Sequence, residues 1–206
     1  MTDIVRTMST PARHRYPTDS EVRRIKVGGI YGDDGRRTRS GQMLAALIDM
    51  AYLTGQRIAD LLALECSAFG AEGITFRPAK TRGSTGVAVL IEWTPRLRDV
   101  ERRLRELRQD RRAFGPVVFT RQAAKKGAAR AGEPYTYSGA ISAWKRACVR
   151  AGVLGLHFHD LRAKALTDTE EMAGLQAARR KGAHSTEQQT SDSVRHRKPQ
   201  KSKATR

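Results

Sequence analysis

Thr54-Gly55-Gln56-Arg57-Ile58-Ala59-Asp60-Leu61-Leu62 is the stretch on which the reading of this chain turns. Before it, Met43, Leu44, Leu47, Met50 and Ala51 recur at the spacing of one helical face, so a helix of about 15 residues ends at Gly55. After it, Ile58, Leu61, Leu62 and Leu64 open a second, shorter helix. Arg57 therefore stands at a helix–helix junction, where a guanidinium can face a cleft and bind an anion through two parallel hydrogen bonds. Taken alone, the segment reads more often as a surface arginine at a helix start.

Outward from this junction the pattern is mostly helical. Thr18, Asp19 and Ser20 can cap a helix beginning near Glu21, and the glycines at 28, 29, 32 and 35 are expected to break it. Downstream, Gly73-Ile74-Thr75-Phe76 and Val87 to Trp93 change to a strand-like pattern. The polar turn between them, Lys80 to Gly86, predicts a β-hairpin with a basic tip. Thr94-Pro95 opens a charged helix with a narrow stripe of Leu97, Val100, Leu104 and Leu107. A basic loop over 121–134 leads to an amphipathic helix over 136–152, with Ile141, Trp144, Cys148 and Ala151 on one face. Two further helices are expected, His159 to Leu166 and Glu170 to Arg180. The sum is a mainly α fold with a small antiparallel β-sheet on one edge. Three regions follow: a linker or arm over 1–16, a domain over 17–194, and a basic, disordered tail over 195–206.

Charge narrows the function. The 206 residues carry 39 Lys and Arg against 21 Asp and Glu, a formal net charge of +18. The tail holds six of these cations, and taking them from +18 leaves +12, so the domain itself is basic. A polyanion is the expected partner, and nucleic acid is the commonest polyanion. No apolar run approaches the ~18 residues that span a bilayer. Cys66 and Cys148 lie far apart in apolar settings and read as reduced core residues of a cytosolic protein. A zinc site from His157, His159, His184 and a cysteine fails because no spacing matches a zinc pattern.

Three more local signals carry chemistry. Lys80 sits at the hairpin tip, where a lysine can reach a DNA groove and donate a proton to a leaving alkoxide. In His159-Asp160-Leu161-Arg162, positions i and i+3 of a helix share a face, so histidine and arginine could contact one phosphate while Leu161 enters the core. In Gly182-Ala183-His184, a histidine past a glycine turn can donate a hydrogen bond to a phosphoryl oxygen. Each alone has an ordinary reading: a solvated turn lysine, a capped helix start, a structural turn histidine.

Joined in this order, the four segments resemble the catalytic domain of the tyrosine recombinases, the integrases of phages and integrative elements and their resolving relatives. The resemblance spans roughly residues 16–197. It implies Arg57, Lys80, His159, Arg162 and His184 as catalytic residues. It also implies double-stranded DNA as substrate, self-association on DNA as tetramers, and no metal or nucleotide cofactor. The setting it implies is cytoplasmic, bacterial or phage-encoded and nucleoid-associated. In the family a tyrosine attacks a phosphodiester, forming a 3′-phosphotyrosyl link and releasing a 5′-hydroxyl. The energy of the broken bond is kept in the covalent link, so strands rejoin without ATP.

The chain departs from the pattern at three places. Nine residues after His184, where the family has its tyrosine, stands Ser193, and all five tyrosines (16, 31, 52, 135 and 137) precede His184. Arg179, Arg180 and Lys181 replace the usual apolar residues before the glycine and histidine. The 206 residues also leave no room for the separate N-terminal domain that clamps the other face of the DNA. The expectation is a recombinase catalytic domain that is inactive as written. The competing readings are a non-catalytic DNA-binding remnant or regulator on the same scaffold, and a basic RNA-binding protein. The last is disfavoured by the lack of an aromatic RNA-binding motif.

Overall fold

The computed structural model describes residues 15–77, 88–110, 115–121, 132–183 and 186–194. The turn carrying Lys80, most of the basic loop, His184 and the tail lie outside them. The fold is mainly helical with one two-stranded antiparallel sheet.

Helix α2 (Gly41–Thr54) is the axis of the core. A single buried face was expected, but 11 of its residues are buried, because α1 (Asp19–Ile30), α4 (Pro95–Asp110), α5 (Tyr137–Arg150) and α6 (Asp160–Ala173) surround it. A helix that is apolar almost all round suits such a position. Its one buried carboxylate, Asp49, bridges Lys26 of α1 at 2.7 Å and Arg103 of α4 at 3.0 Å, pinning both neighbours to the central helix. Gly55, in the left-handed region at φ 66°, ends α2 with its N–H on the Ala51 carbonyl.

Helix α1 begins at the expected cap: the Thr18 side chain accepts from the Glu21 N–H and Glu21 returns a contact to the Thr18 N–H. The glycines at 28 and 29 do not break it, and α1 runs to Ile30. They serve packing instead. A Cβ on Gly28 would stand 2.8 Å from the Ala147 carbonyl oxygen of α5, and one on Gly29 would press Leu44 of α2 at 3.1 Å. The cost of glycine in a helix, about 1 kcal/mol, is offset by this close three-helix approach.

The short helix α3 (Ile58–Leu62) and a 3₁₀ turn (Cys66–Ala68) lead to β1 (Gly73–Phe76), which pairs with β2 (Val89–Glu92) in the register Gly73 to Glu92. Cys66 is exposed, against the expectation of a core residue, because it lies on the 3₁₀ turn rather than on an apolar helix face. Cys148 is buried on α5, and burial pushes its thiol up to about 12. Beneath α5, Trp144 meets Phe158 edge to face at 5.2 Å, an arrangement worth about 0.5–1.5 kcal/mol beyond burial. Val153, Leu156 and Phe158 are buried while His157 and His159 face outward, so this segment fixes how the chain enters α6.

The two late helices expected from the sequence are divided differently. Helix α6 runs without a break to Ala173, and Gly174 at φ 81° separates it from α7 (Leu175–Gly182). A last helix, α8 (Glu187–Ser193), is capped by Thr186 and packs on α7 and α6.

One polar cluster ties the entry of the domain to α6. Lys164 is 2% exposed. Its Nζ donates to Tyr16 Oη at 2.7 Å and Asp168 Oδ2 at 2.9 Å, pairs with Asp19 at 2.8 Å, and lies over the rings of Tyr16 and Tyr52. Tyr16 and Tyr52 both donate to the Asp168 carboxylate. Burial and that carboxylate raise the Tyr52 phenol above its ordinary value. A hydrogen bond from Lys164 holds the Asp19 carboxyl below its usual range, so that contribution is present above the range and fades as pH falls through the lowered value. Lys164→Met is expected to lower unfolding free energy by about 2–4 kcal/mol, less than for a wholly enclosed pair because Asp19 stands in solvent. Urea unfolding checks this, and a change under ~1 kcal/mol would mean that the ammonium only fills space.

Candidate active site

The site is built where two helix ends meet. Helix ends leave their last carbonyls without intrahelical partners. At the end of α2 the chain turns within three residues, Gly55 to Arg57, and Arg57 becomes the extended cap of α3 at φ −68°, ψ 146°. Its half-buried guanidinium lies 3.9 Å from Asp60, one turn on. Beside α3, a cleft of about 240 Å³ runs toward β1, lined in part by Asp60, Ser67, Thr75 and Arg77.

Arg162 reaches the same junction from α6. It is 3% exposed, with Nη1 donating to the Gly55 carbonyl at 2.5 Å and Nη2 to the Gly182 carbonyl at 2.7 Å. Burial first and then the nearby Arg57 charge lower its pKa, against the opposing Asp60 charge, to about 10. The two guanidinium groups are therefore close enough to repel, and Arg162 stays charged at neutral pH. A guanidinium carries five N–H donors, so an arginine can hold a carbonyl and an anion at once. A phosphate between them would relieve the repulsion and supply the counter-charge that burial withholds.

The other sequence-derived residues fall as follows. His159 caps α6 in the helical conformation (φ −62°, ψ −24°) and is exposed, one turn before the buried Arg162. Asp160 is buried and accepts from the His157 N–H at 2.8 Å, so it shapes the entry loop. Leu161 enters the core. Lys80 and His184 lie outside the described residues. The chain reaches residue 184 from Ala183, which caps α7 in the left-handed region at φ 51°. Ser193 is the last residue of α8, half-buried, and its Oγ donates to the Gln189 carbonyl at 2.8 Å. Thr190 and Val194 are the buried anchors of this segment.

One contributor was missed in the sequence although it lies inside the opening motif. Gln56 is buried at the junction, and its Nε2 donates to the Thr54 carbonyl at 3.2 Å and to the Lys181 carbonyl at 2.7 Å. Nothing in its spacing distinguishes it, because its partner lies 125 residues away. Among the described residues, no three His, Cys, Asp or Glu side chains gather as a metal site, and no helix is long and apolar enough to cross a membrane.

Known structures share this architecture. Lambda integrase, in a tetramer bound to a Holliday junction, superposes with a TM-score of 0.69 at 19% identity, over 95% of this chain and 52% of that one. The lambda integrase catalytic core gives 0.62 at 18% identity, over 82% of this chain and 91% of that one. XerA recombinase gives 0.66 at 15% identity, over 88% and 60%. The fold is thus that of a tyrosine-recombinase catalytic domain, and the chain spans about half the length of the lambda integrase chain in the tetramer. The phage integrase family model matches residues 36–199, and the chain belongs to that family. No curated protein matches the sequence.

Proposed function

We propose that this chain is the catalytic domain of a site-specific DNA recombinase, spanning residues 17–194, that grips a phosphodiester of duplex DNA but lacks the group that attacks it. The observation that carries this reading is the pair Arg57 and Arg162, brought from separate helices to one junction, with Arg162 held there as a desolvated cation. In the reaction, attack on the phosphodiester builds negative charge on its nonbridging oxygens. Arg57 and Arg162 would neutralise that charge from fixed positions. His159 would assist removal of the nucleophile's proton, His184 would hold a phosphoryl oxygen, and Lys80 would protonate the departing 5′-oxygen. A tyrosine at position 193 would then carry the 3′-phosphate. With Ser193 there, the chain binds DNA without forming that link.

A non-catalytic DNA-binding role on the same scaffold is the second reading, favoured by the Ser193 hydroxyl being turned back onto its own helix. Self-association on DNA is supported by the relatives: lambda integrase is seen as a tetramer on a Holliday junction and as a dimer on a core site. The same reading places the protein with bacterial or phage DNA in the cytoplasm.

Fluorescence anisotropy with duplex DNA tests the binding role. The surplus of basic residues predicts a linear fall of log K with log salt, roughly 10³-fold or more between about 50 and 200 mM if six or more phosphates are contacted. Sequence preference should be weak. An affinity that is flat with salt, or equal for structured RNA, would remove the proposal's basis.

A further inference from the structure

We infer that Gln56 is a positioning residue of the phosphate site, whose amide sets the end of α7 in register with the Arg57–Arg162 pair. The inference rests on reading that pair as the phosphate-binding centre.

Four backbone carbonyls meet at this point, two consecutive ones from each of two helix ends: Thr54 and Gly55 at the end of α2, Lys181 and Gly182 at the end of α7. These are the carbonyls that a helix cannot satisfy within itself. Two side chains divide them crosswise. Arg162 takes Gly55 and Gly182, and Gln56 takes Thr54 and Lys181. Each side chain spans both helix ends, so neither end can shift along the other without breaking a bond to each. The Gln56 amide has two N–H donors and uses both. Its orientation follows from that use, since a flipped amide would set its oxygen against two carbonyl oxygens.

The amide's Oε1 shows that this is not simply a saturated structural network. Gln56 is 1% exposed, and among the described residues its Oε1 has no hydrogen-bond partner. Leaving a buried acceptor unsatisfied is costly, and that cost offsets part of what the two donated hydrogen bonds contribute to the fold. An apolar side chain of similar volume would remove that orphaned acceptor but lose the bond to Thr54 and the tie to Lys181. Arg57 is the next residue in the chain, and Lys181 lies one residue before Gly182, whose carbonyl Arg162 holds. The Gln56 bridge is thus the direct link between the Arg57 backbone and the end of α7, and it leaves Arg162 only one carbonyl to hold there.

Gln56→Met keeps the length and volume and removes both donors. Two measurements test the inference. In the full chain as it stands, hydrogen exchange of a peptide covering 180–183 is expected to speed up at least tenfold in Gln56→Met, while peptides from α2 keep their protection. In the Ser193→Tyr background, single-turnover adduct formation on nicked duplex is expected to slow 10- to 100-fold at saturating DNA, with Kd changed less than threefold. An unchanged exchange rate at 180–183, or an unchanged adduct rate, overturns the inference. So does a joint fall of melting temperature, affinity and rate, which would make the amide a support of the whole fold. If Ser193→Tyr itself gives no adduct, the reading of position 193 fails, and the exchange measurement alone then decides the role of Gln56.

Discussion

Ser193→Tyr is expected to turn a chain that forms no covalent adduct with DNA into one that does. The position lies nine residues beyond His184, in the spacing of the integrase pattern, and it closes α8, where a side chain is only half-enclosed. A serine Oγ sits close to the backbone, and here it is spent on the Gln189 carbonyl. A phenol oxygen projects a ring further and ionises near pKa ~10, which makes it a workable nucleophile and later a workable leaving group. An aliphatic alcohol is much less acidic, and as a nucleophile it needs an adjacent base to activate it. The measurement is a denaturing gel with a labelled suicide substrate, run for both proteins. A retarded band from the Ser193 protein would mean that another group attacks. No band from Ser193→Tyr, despite demonstrated binding, would place the defect outside residue 193, for instance in assembly on the DNA.

The two arginines should respond to truncation in different ways. Arg162→Ala removes two charge-assisted hydrogen bonds to buried carbonyls and leaves those carbonyls without their donors. Such bonds are worth about 1.5–3 kcal/mol each, and relief of the desolvated cation returns part of that, so a net loss of about 2–4 kcal/mol is expected. Arg162→Lys should recover little, because an ammonium cannot span the two carbonyls as the planar fork does. Arg57→Ala should cost less than ~1 kcal/mol, since its ion pair with Asp60 is long and partly solvated. In the Ser193→Tyr background, Arg57→Ala should nonetheless slow adduct formation by ~10²–10³-fold, the usual loss for a donor that stabilises charge in the transition state. Guanidinium unfolding curves and adduct rates together check the contrast. Equal effects on stability would show that Arg162 is not the structural tie described above.

The sequence carries the local signals well where one short segment decides the outcome. The end of α2 at Gly55, the cap at Thr18 and the arms of the hairpin all follow from neighbours within a few residues. It misleads where a distant contact overrides local preference. Gly28 and Gly29 look like breakers, but α5 and α2 need the space they leave. Lys164, in a run of small and apolar residues, gives no hint that Tyr16, Asp19, Tyr52 and Asp168 will enclose it. In the site, Arg57 and Arg162 are legible from their motifs, whereas the bridge from Gln56 to Lys181 depends on how two helix ends come to rest against each other.

Ala183 gives the end of α7 a mechanical character. A side-chain-bearing residue held at φ 51° sits about 1 kcal/mol or more above its relaxed backbone, where glycine would sit without penalty. That energy is released whenever the last turn of α7 unwinds. The seven-residue α8 beyond it is too short to persist without its anchors Thr190 and Val194. A helix so short, held by two buried side chains, opens at lower cost than the domain as a whole. Position 193 is carried by this short helix, whereas the arginines it would serve meet at a junction tied by hydrogen bonds from Arg162 and Gln56 to four carbonyls.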